Sequence, residues 1–335
     1  MSDETADPGD GRTAAPAATR PPRRRIARVV PWLISGACFA YLYGRLAGAA
    51  GDRGVVAYLS GIFESVDWWS WLALMVPYSC FYLLVDTAVL WRVVNWFNAR
   101  IAYRDLLPVR ASTYIISIVN EQVGKGAIAL YLNRRHGVPG WQVGSSMLFI
   151  MFCEFFYLMS WALVGVTVRW DALPPVFHAI PWIALASLLF LAGFIAFFRS
   201  ERFAGNALRE RDLLRAFRRA RPWHYLTVVV VRSPALLAAV FVYSRAAALF
   251  GVEIGFVDML GILPVIFFGT LVPGPFRAVA IAMWSTLFPQ HAGEMTAFGF
   301  VQHNFFLLFN AAIGLLFLRR ANRELFGARE AARAA

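Results

Sequence analysis

Lysine is nearly absent from this chain. Among its 335 residues there are 31 arginines but a single lysine, Lys125, and only 20 acidic residues. Charged residues make up 16% of the sequence and hydrophobic residues 59%, whereas a soluble domain contains about 25% charged and about 45–50% apolar residues. This scarcity of charge excludes an ordinary soluble domain and indicates a membrane protein.

Cysteine and metal-binding patterns are scarce as well. The three cysteines, Cys38, Cys80 and Cys153, all lie inside apolar runs, which argues against a disulfide framework or a cysteine-based metal site. The net charge of +12 comes mainly from arginines between apolar runs, as in cytoplasmic loops that face anionic lipid. No zinc-binding spacing or nucleic-acid-binding motif accompanies this charge, so we expect no metal, no cofactor and no nucleic-acid partner.

Long apolar runs dominate the sequence. Six of them approach or exceed the roughly 18 residues that suggest a bilayer crossing. They cover residues 29–48, 70–92, 141–168, 179–198, 223–250 and 295–318. Two further runs, 106–133 and 257–288, are long but interrupted by glycine, proline and charged residues.

The loops predict how these runs are oriented. Segment 92–110, with four arginines, precedes the first broken run, and Arg134 and Arg135 follow it. By the positive-inside rule both ends of this run face the cytoplasm. The second broken run has no basic flank, so we expect it to enter from the opposite side. Because irregular backbone at membrane depth needs surrounding protein or a water-filled cavity, the two runs should meet near the middle of the molecule.

The predicted fold class is therefore an all-α polytopic membrane protein with six crossings and two re-entrant helical hairpins. Residues 1–28 are interpreted as a disordered cytoplasmic tail, residues 29–320 as the membrane domain, and residues 321–335 as a cytoplasmic tail. Segment 199–222 carries eight arginines against three acids and is interpreted as a cytoplasmic linker. Within it, residues 205–221 predict a basic amphipathic helix on the inner leaflet.

An internal repeat relates the two halves, 29–168 and 179–320. Adding 150 to a residue number in the first half reaches a similar feature in the second. Seven identities occur over residues 116–162 without a gap, among them Gly124/Gly274, Pro139/Pro289 and Phe155-Phe156/Phe305-Phe306. Since each half has three crossings, the halves have opposite orientations. An inverted repeat with broken membrane segments is typical of transporters, whose sites lie at the repeat interface.

Two stretches resemble a known family. "VGKGAIALYLNRRHGVPGWQVGSSMLFIMFCEFFYL" and "LVPGPFRAVAIAMWSTLF" are similar to motifs of the lysylphosphatidylglycerol synthase transmembrane-domain family, the flippase-like part of the bacterial multiple peptide resistance factor. The family's Gly-Glu is Gly124-Lys125 here, and the Glu that often follows the second motif is absent. The resemblance implies a stand-alone, flippase-like membrane domain without the soluble synthase domain and leaves the substrate open.

Two cations mark a candidate site for an anionic headgroup. Lys125 and Arg277 lie in the two broken runs, each near a glycine that would interrupt a helix, Gly124 and Gly274. A helix N-terminus beside a cation can bind phosphate, and arginine can do so through two donors. The alternative is that both side chains extend to the membrane surface. Glu121, four residues before Lys125, is either a gating carboxylate or a partner that lowers the cost of burying Lys125.

Further polar residues fall inside the apolar runs. Asp86 and Arg232 occupy corresponding helices of the two halves, so they predict an ion pair or a switch that breaks as the halves move. Glu154, with Asn304 at its repeat position and His303 beside it, predicts a polar group at the bilayer midplane. Glu154 is either a proton relay or a hydrogen-bonding group between helices.

These features favour a lipid flippase or transporter in the inner membrane of a bacterium, with both termini in the cytoplasm. The expected partner is an anionic phospholipid or a polyprenyl-linked substrate, and a homo-oligomer or an envelope-enzyme partner stays open. The alternatives are a membrane-embedded transferase, in which an intramembrane acid or histidine acts as general base, and a non-catalytic scaffold for envelope enzymes. We expect no enzymatic activity, because the acidic residues are scattered over different segments.

Overall fold

A computed structural model of the chain describes residues 23–117, 121–171, 175–271 and 277–334. All regular secondary structure in this part of the chain is helical. Its α-helices are α1 (Arg23–Ala50), α2 (Val55–Ser65), α3 (Trp68–Phe97), α4 (Tyr103–Ser117), α5 (Glu121–His136), α6 (Gly140–Val168), α7 (Ile180–Arg199), α8 (Arg215–Arg219), α9 (Pro222–Ala248), α10 (Phe256–Leu271), α11 (Ala278–Leu287) and α12 (Ala292–Ala334).

Five helical segments in the described residues are long and apolar enough to cross a membrane. They are Trp68–Phe97, Gly140–Val168, Pro175–Arg199, Pro222–Ala248 and Pro289–Ala321. The first predicted crossing, 29–48, falls in α1, which is helical but is not among these five. The chain is thus an α-helical protein of the membrane-spanning kind.

Two helix ends and one predicted surface helix differ from the sequence-based expectations. Helix α1 begins at Arg23, inside the segment interpreted as a tail, and α12 continues to Ala334, past the predicted end of the membrane domain. The amphipathic helix predicted for residues 205–221 is wrong, because only the short α8 and 3₁₀ turns form there. The Arg-rich sequence offers no continuous apolar stripe to stabilise a longer surface helix.

Local sequence signals explain where the long helices begin. The carboxylate of Asp67 accepts hydrogen bonds from the backbone N–H groups of Trp69 and Ser70 and so caps α3. The hydroxyl of Ser70 also donates to Asp67 at 2.6 Å, and this bond, with the backbone bonds, lowers the pKa of the Asp67 carboxyl. Helix α9 begins at Pro222, whose fixed φ suits the first helical position.

The two broken runs each form a pair of short helices. The first run becomes α4 and α5, which pack against each other, and the second becomes α10 and α11, which also pack together. Both α4 and α10 contain an internal proline, Pro108 and Pro264 respectively. The prediction that Gly124 interrupts a helix is wrong, because Gly124 lies inside the continuous helix α5, and Gly274 lies outside the described residues.

The paired helices exchange partners between the two halves of the chain. Helix α4 packs along α12, and α10 packs along α6. At the second contact a Cβ atom on Gly165 would overlap the backbone of Gly261, and at the first a Cβ on Gly314 would press on the carbonyl of Ala111. Ala111 and Gly261 are themselves 150 residues apart, so the two close crossings occur at corresponding places in the repeat.

The described core is divided into three clusters, and aromatic side chains are among the largest fully buried ones. Trp71, Trp284 and Phe298 are buried where α3, α9, α10, α11 and α12 meet. A second cluster around Phe149 and Phe217 joins α6, α7, α8 and α9. A third, entirely within the first half, packs α3, α4, α5 and α6 together through residues such as Leu106 and Ile128. This last cluster forms the floor of the site described below.

The glycine contact between α6 and α10 yields a prediction. We expect Gly165→Ala to lower the melting temperature of the purified protein in detergent, because its methyl group would meet fixed backbone that no rotamer change relieves. Overpacking of this kind costs about 1–3 kcal/mol. Gly193→Ala in α7 is the matched control, since nothing lies within 4 Å of its Cβ position and alanine favours a helix by about 1 kcal/mol. Equal melting temperatures for the two variants would contradict the close crossing.

Candidate functional site

A buried ionic network lies where α3, α4, α6 and α9 converge. Asp86 of α3 receives two arginines: the Arg110 Nε atom lies 2.6 Å from one carboxylate oxygen, and the Arg232 Nη1 atom lies 3.4 Å from the other. The hydroxyl of Tyr114 donates a third hydrogen bond to Asp86 at 2.8 Å. The structure thus brings Asp86 and Arg232 into the ion pair that the sequence suggested as one alternative.

Arg110 is the residue that sequence reasoning missed. The sequence places it with the arginines of the polar segment 92–110, but its side chain is only 16% exposed in the structure. Arg110 lies inside α4, its guanidinium also donates to the Thr113 hydroxyl at 3.3 Å, and it stacks 4.8 Å from the centre of the Tyr114 ring. The signal was present, since Arg110 sits in the apolar stretch "LLPVRASTYII" rather than in a polar loop.

Glu154 completes the network from α6. Its carboxylate accepts a hydrogen bond from Arg232 Nη2 at 2.5 Å, and the same guanidinium reaches the Tyr82 hydroxyl at 3.4 Å. Arg232 also lies over the ring of Tyr157. Its guanidinium therefore joins α3 and α6 of the first half to α9 of the second.

The four charged groups neutralise one another. Two guanidinium and two carboxylate groups share one site, and the side chains of Arg232 and Asp86 are only 7% and 9% exposed. An uncompensated charge in such surroundings is costly, whereas a paired and hydrogen-bonded one is tolerated. Glu154 is the most accessible of the four, with 21% of its side chain exposed.

A small cavity opens beside this network. It has a volume of about 70 Å³, enough for a few water molecules, since a water needs about 10–15 Å³ of such space. All four charged groups line it, together with Tyr82, and its remaining wall is apolar, with Ile128 of α5 and methionines of α6. Polar groups thus converge on one wall and leave the opposite wall apolar.

Three of the four charged residues of the network belong to the first half of the internal repeat, and Arg232 belongs to the second. Tyr82 and Arg232 touch and are separated by 150 residues, so each stands at the other's repeat position. This contact therefore joins the two halves through equivalent positions of the repeat. The repeat positions of Asp86 and Arg110 are Leu236 and Leu260, and that of Glu154 is Asn304. The second half therefore presents mostly apolar groups where the first presents charge.

Arg277 stands apart from this network. It precedes α11 with a left-handed backbone, φ = 52°, a conformation uncommon for any residue other than glycine and found at functional sites. Its guanidinium lies 6.0 Å from the centre of the Phe306 ring on α12, within electrostatic reach of His303 and Tyr243.

Some of the remaining predicted residues are described by the structure, and others lie outside its described part. His303 is buried and its Nε2 atom has no hydrogen-bond partner among the described residues, while Asn304 donates to the Phe300 carbonyl of its own helix at 2.7 Å.

Gly124 is buried against α4, where an added Cβ would crowd Ser117 and Thr113. Gly274 and the side chains of Glu121 and Lys125 lie outside the part that the structure describes.

The described residues include no group of three His, Cys, Asp or Glu side chains that could hold a metal ion. The chemistry of the site is that of hydrogen bonding and ion pairing, with both acids engaged by arginine. A charged ligand would exchange places with one of these partners rather than fill an unoccupied position.

Comparison with known protein families, with curated proteins and with solved structures finds no match for this chain. The resemblance to the lysylphosphatidylglycerol synthase transmembrane-domain family is thus untested and stays a prediction from the motifs.

The network yields a stability prediction. Asp86→Asn leaves Arg110 and Arg232 without their shared counter-charge, and breaking a buried ion pair on one side costs about 3–5 kcal/mol. We expect a large drop in the melting temperature in detergent. The matched control is Asp258→Asn, which removes the exposed 2.5 Å pair with Arg169 and should cost about 0–1 kcal/mol.

A double variant tests whether the loss of stability in Asp86→Asn comes from the uncompensated arginine charge. Asp86→Asn combined with Arg110→Gln removes one charge of each sign, so part of the lost stability should return. Additive effects of the two substitutions would show that Asp86 and Arg110 do not interact energetically.

Proposed function

We propose that the protein moves an anionic phospholipid or a lipid-linked anion across the inner membrane of a bacterium, by alternating access between two inverted halves. The observation that carries this proposal is the ionic network, which joins the halves through Arg232. In this proposal α1 is the sixth crossing, the α4–α5 and α10–α11 pairs are re-entrant from opposite sides, and both termini lie in the cytoplasm.

The exchanged packing of the paired helices supports the inverted arrangement. In an inverted-repeat transporter the two halves are related by an axis in the membrane plane, and the substrate site lies where they meet. The α4–α12 and α10–α6 contacts correspond under the 150-residue offset, as such an axis requires. A contact between two residues at each other's repeat position, such as Tyr82 and Arg232, is expected at such an axis.

The network supports a gating role. Arg232 holds Glu154 and Asp86 at the same time, so the halves cannot separate there without exposing unpaired charge. A phosphate group entering the cavity supplies a replacement for a carboxylate, since arginine binds either anion through parallel N–H donors. Substrate would thus lower the free energy of opening, and empty opening would be disfavoured.

Arg277 and Lys125 extend this proposal to a headgroup site beyond the network. Arg277 stands at the N-terminus of α11 with a half-buried side chain, a position where backbone N–H groups and positive charge favour an anion. Lys125, Gly124 and Gly274 are included in this headgroup site because of their positions in the two broken runs of the sequence.

Reconstitution tests this function. Liposomes with the full chain should move fluorescent phosphatidylglycerol between leaflets, measured by loss of fluorescence on adding a membrane-impermeant reductant, and the lipid should be chemically unchanged on thin-layer chromatography. Arg277→Ala should slow this movement by about tenfold, as expected for loss of a charge-assisted hydrogen bond of about 1.5–3 kcal/mol. Lys125→Ala should act in the same direction.

Arg245→Ala is the control, since Arg245 lies near the end of α9 against Phe241 and outside the proposed path. Lipid movement no faster than in protein-free liposomes would contradict the transport function, and a new lipid product would favour the transferase. Wild-type rates in both Arg277→Ala and Lys125→Ala would contradict the headgroup site alone.

A further inference from the structure

An apolar groove runs between α6 and α7. It has a volume of about 540 Å³. Three phenylalanines of α6 form one wall, and Ile183, Ala186, Ser187 and Phe190 of α7 form the other. The groove is therefore much larger than the ionic cavity and nearly free of polar groups.

Helix α7 has buried residues both within and beyond the part that lines the groove. Near its N-terminus Ala184 is 1% exposed, and near its C-terminus Phe198 is 3% exposed. Along the groove the ring of Phe152 lies 4.7 Å from that of Phe194 and 6.4 Å from that of Phe190, measured between ring centres. Phenylalanines of both helices thus contact one another beside the groove.

Both walls belong to segments long and apolar enough to cross the bilayer, and the α7 segment has the highest mean hydropathy of the five, 2.3. The groove walls include Phe155, Ile183 and Phe190, which are 36%, 49% and 59% exposed. These exposed side chains are apolar, so in a membrane they would contact the hydrocarbon of the lipids without leaving a polar group unsatisfied.

The groove adjoins the ionic cavity across one helix. On α6, Met151 and Glu154 line the cavity, whereas Phe152 and Phe155 line the groove. Met151 and Phe155 are one turn apart and both are 36% exposed. A molecule with an apolar chain and an anionic end could therefore contact both spaces at the edge of α6.

The two halves differ at this place. Helix α1 packs along both α11 and α12, but its counterpart α7 packs along α6 without a comparable contact to α5 among the described residues. The α6 surface beside α5 is thus less covered than the matching surface of α12. Because Ile128 of α5 lines the ionic cavity, this opening leads towards the charged groups.

We propose that the α6–α7 groove binds one acyl chain of a membrane phospholipid whose headgroup approaches the ionic cavity from the side. This inference rests on the proposed function and assigns the path by which the substrate reaches the site. Since surrounding lipid is as apolar as the groove, retention comes from packing against the phenylalanine rings and from the headgroup, not from the hydrophobic effect.

Photo-crosslinking tests the groove. The full chain is reconstituted in phosphatidylcholine nanodiscs with phosphatidylglycerol that carries a diazirine midway along one acyl chain, then irradiated and mapped by mass spectrometry. Adducts should concentrate on residues 152–156 and 183–190 and should fall when unlabelled phosphatidylglycerol is added in excess. Adducts spread evenly over α7 and unaffected by competitor would overturn the proposal.

Two tryptophan variants sharpen the result. Ala186→Trp fills the groove and should reduce both the adducts and lipid movement about tenfold, equivalent to about 1.4 kcal/mol. Leu189→Trp is the matched control, because Leu189 is on α7, 65% exposed and not part of the groove wall. Both variants should elute from size exclusion like the wild type.

The outcomes separate the groove from the transport function. Competable groove adducts without lipid movement in the wild type would support the binding site and overturn transport. Lipid movement at the wild-type rate in Ala186→Trp would overturn the role of the groove in the transport path. Undiminished groove adducts in Ala186→Trp would overturn the binding site itself.

Discussion

The mutual neutralisation of four buried charges constrains this fold more than any other interaction. Asp86, Arg110, Arg232 and Glu154 come from four different helices, and each needs the others because none is fully solvated. Their distances require α3, α4, α6 and α9 to converge at one depth. The apolar clusters around them can repack with modest changes in free energy, whereas loss of one charge leaves its partner uncompensated.

The internal repeat explains why this network lies where it does. Two close helix crossings, at Gly165 and at Gly314, hold each half against the paired helices of the other, and Tyr82 and Arg232 meet between them. Charge is nevertheless concentrated in the first half, since leucines occupy the repeat positions of Asp86 and Arg110. In the proposed transport cycle, one face of the central site is polar and exchangeable, and the opposite face is a packed apolar surface.

Much of this architecture follows from hydropathy, glycine and charge. Long apolar runs located the long helices, and the two interrupted runs correspond to the two pairs of shorter helices, although Pro108, Gly124 and Pro264 lie inside those helices and not at their ends. The intramembrane positions of Asp86, Arg232 and Glu154 marked the polar centre, because charge in such runs needs a partner. Counting charge over segment 92–110 groups Arg110 with the other arginines of that segment, although its neighbours in "LLPVRASTYII" are apolar. This local pattern is the signal that separates a buried arginine from loop arginines. The packing of α4 against α12 and of α10 against α6 could not be predicted, because the spacing of apolar residues along one helix does not specify which other helix it contacts.

The central claim is that the halves separate around the ionic network when an anionic lipid is present. Distance measurement between spin labels at Thr167→Cys on α6 and Ala248→Cys on α9, both exposed helix-end positions, tests it most directly, in a background with the three native cysteines replaced. We expect two distance populations in liposomes, whose ratio shifts when phosphatidylglycerol replaces phosphatidylcholine. A single distance, unchanged by lipid composition, would contradict it.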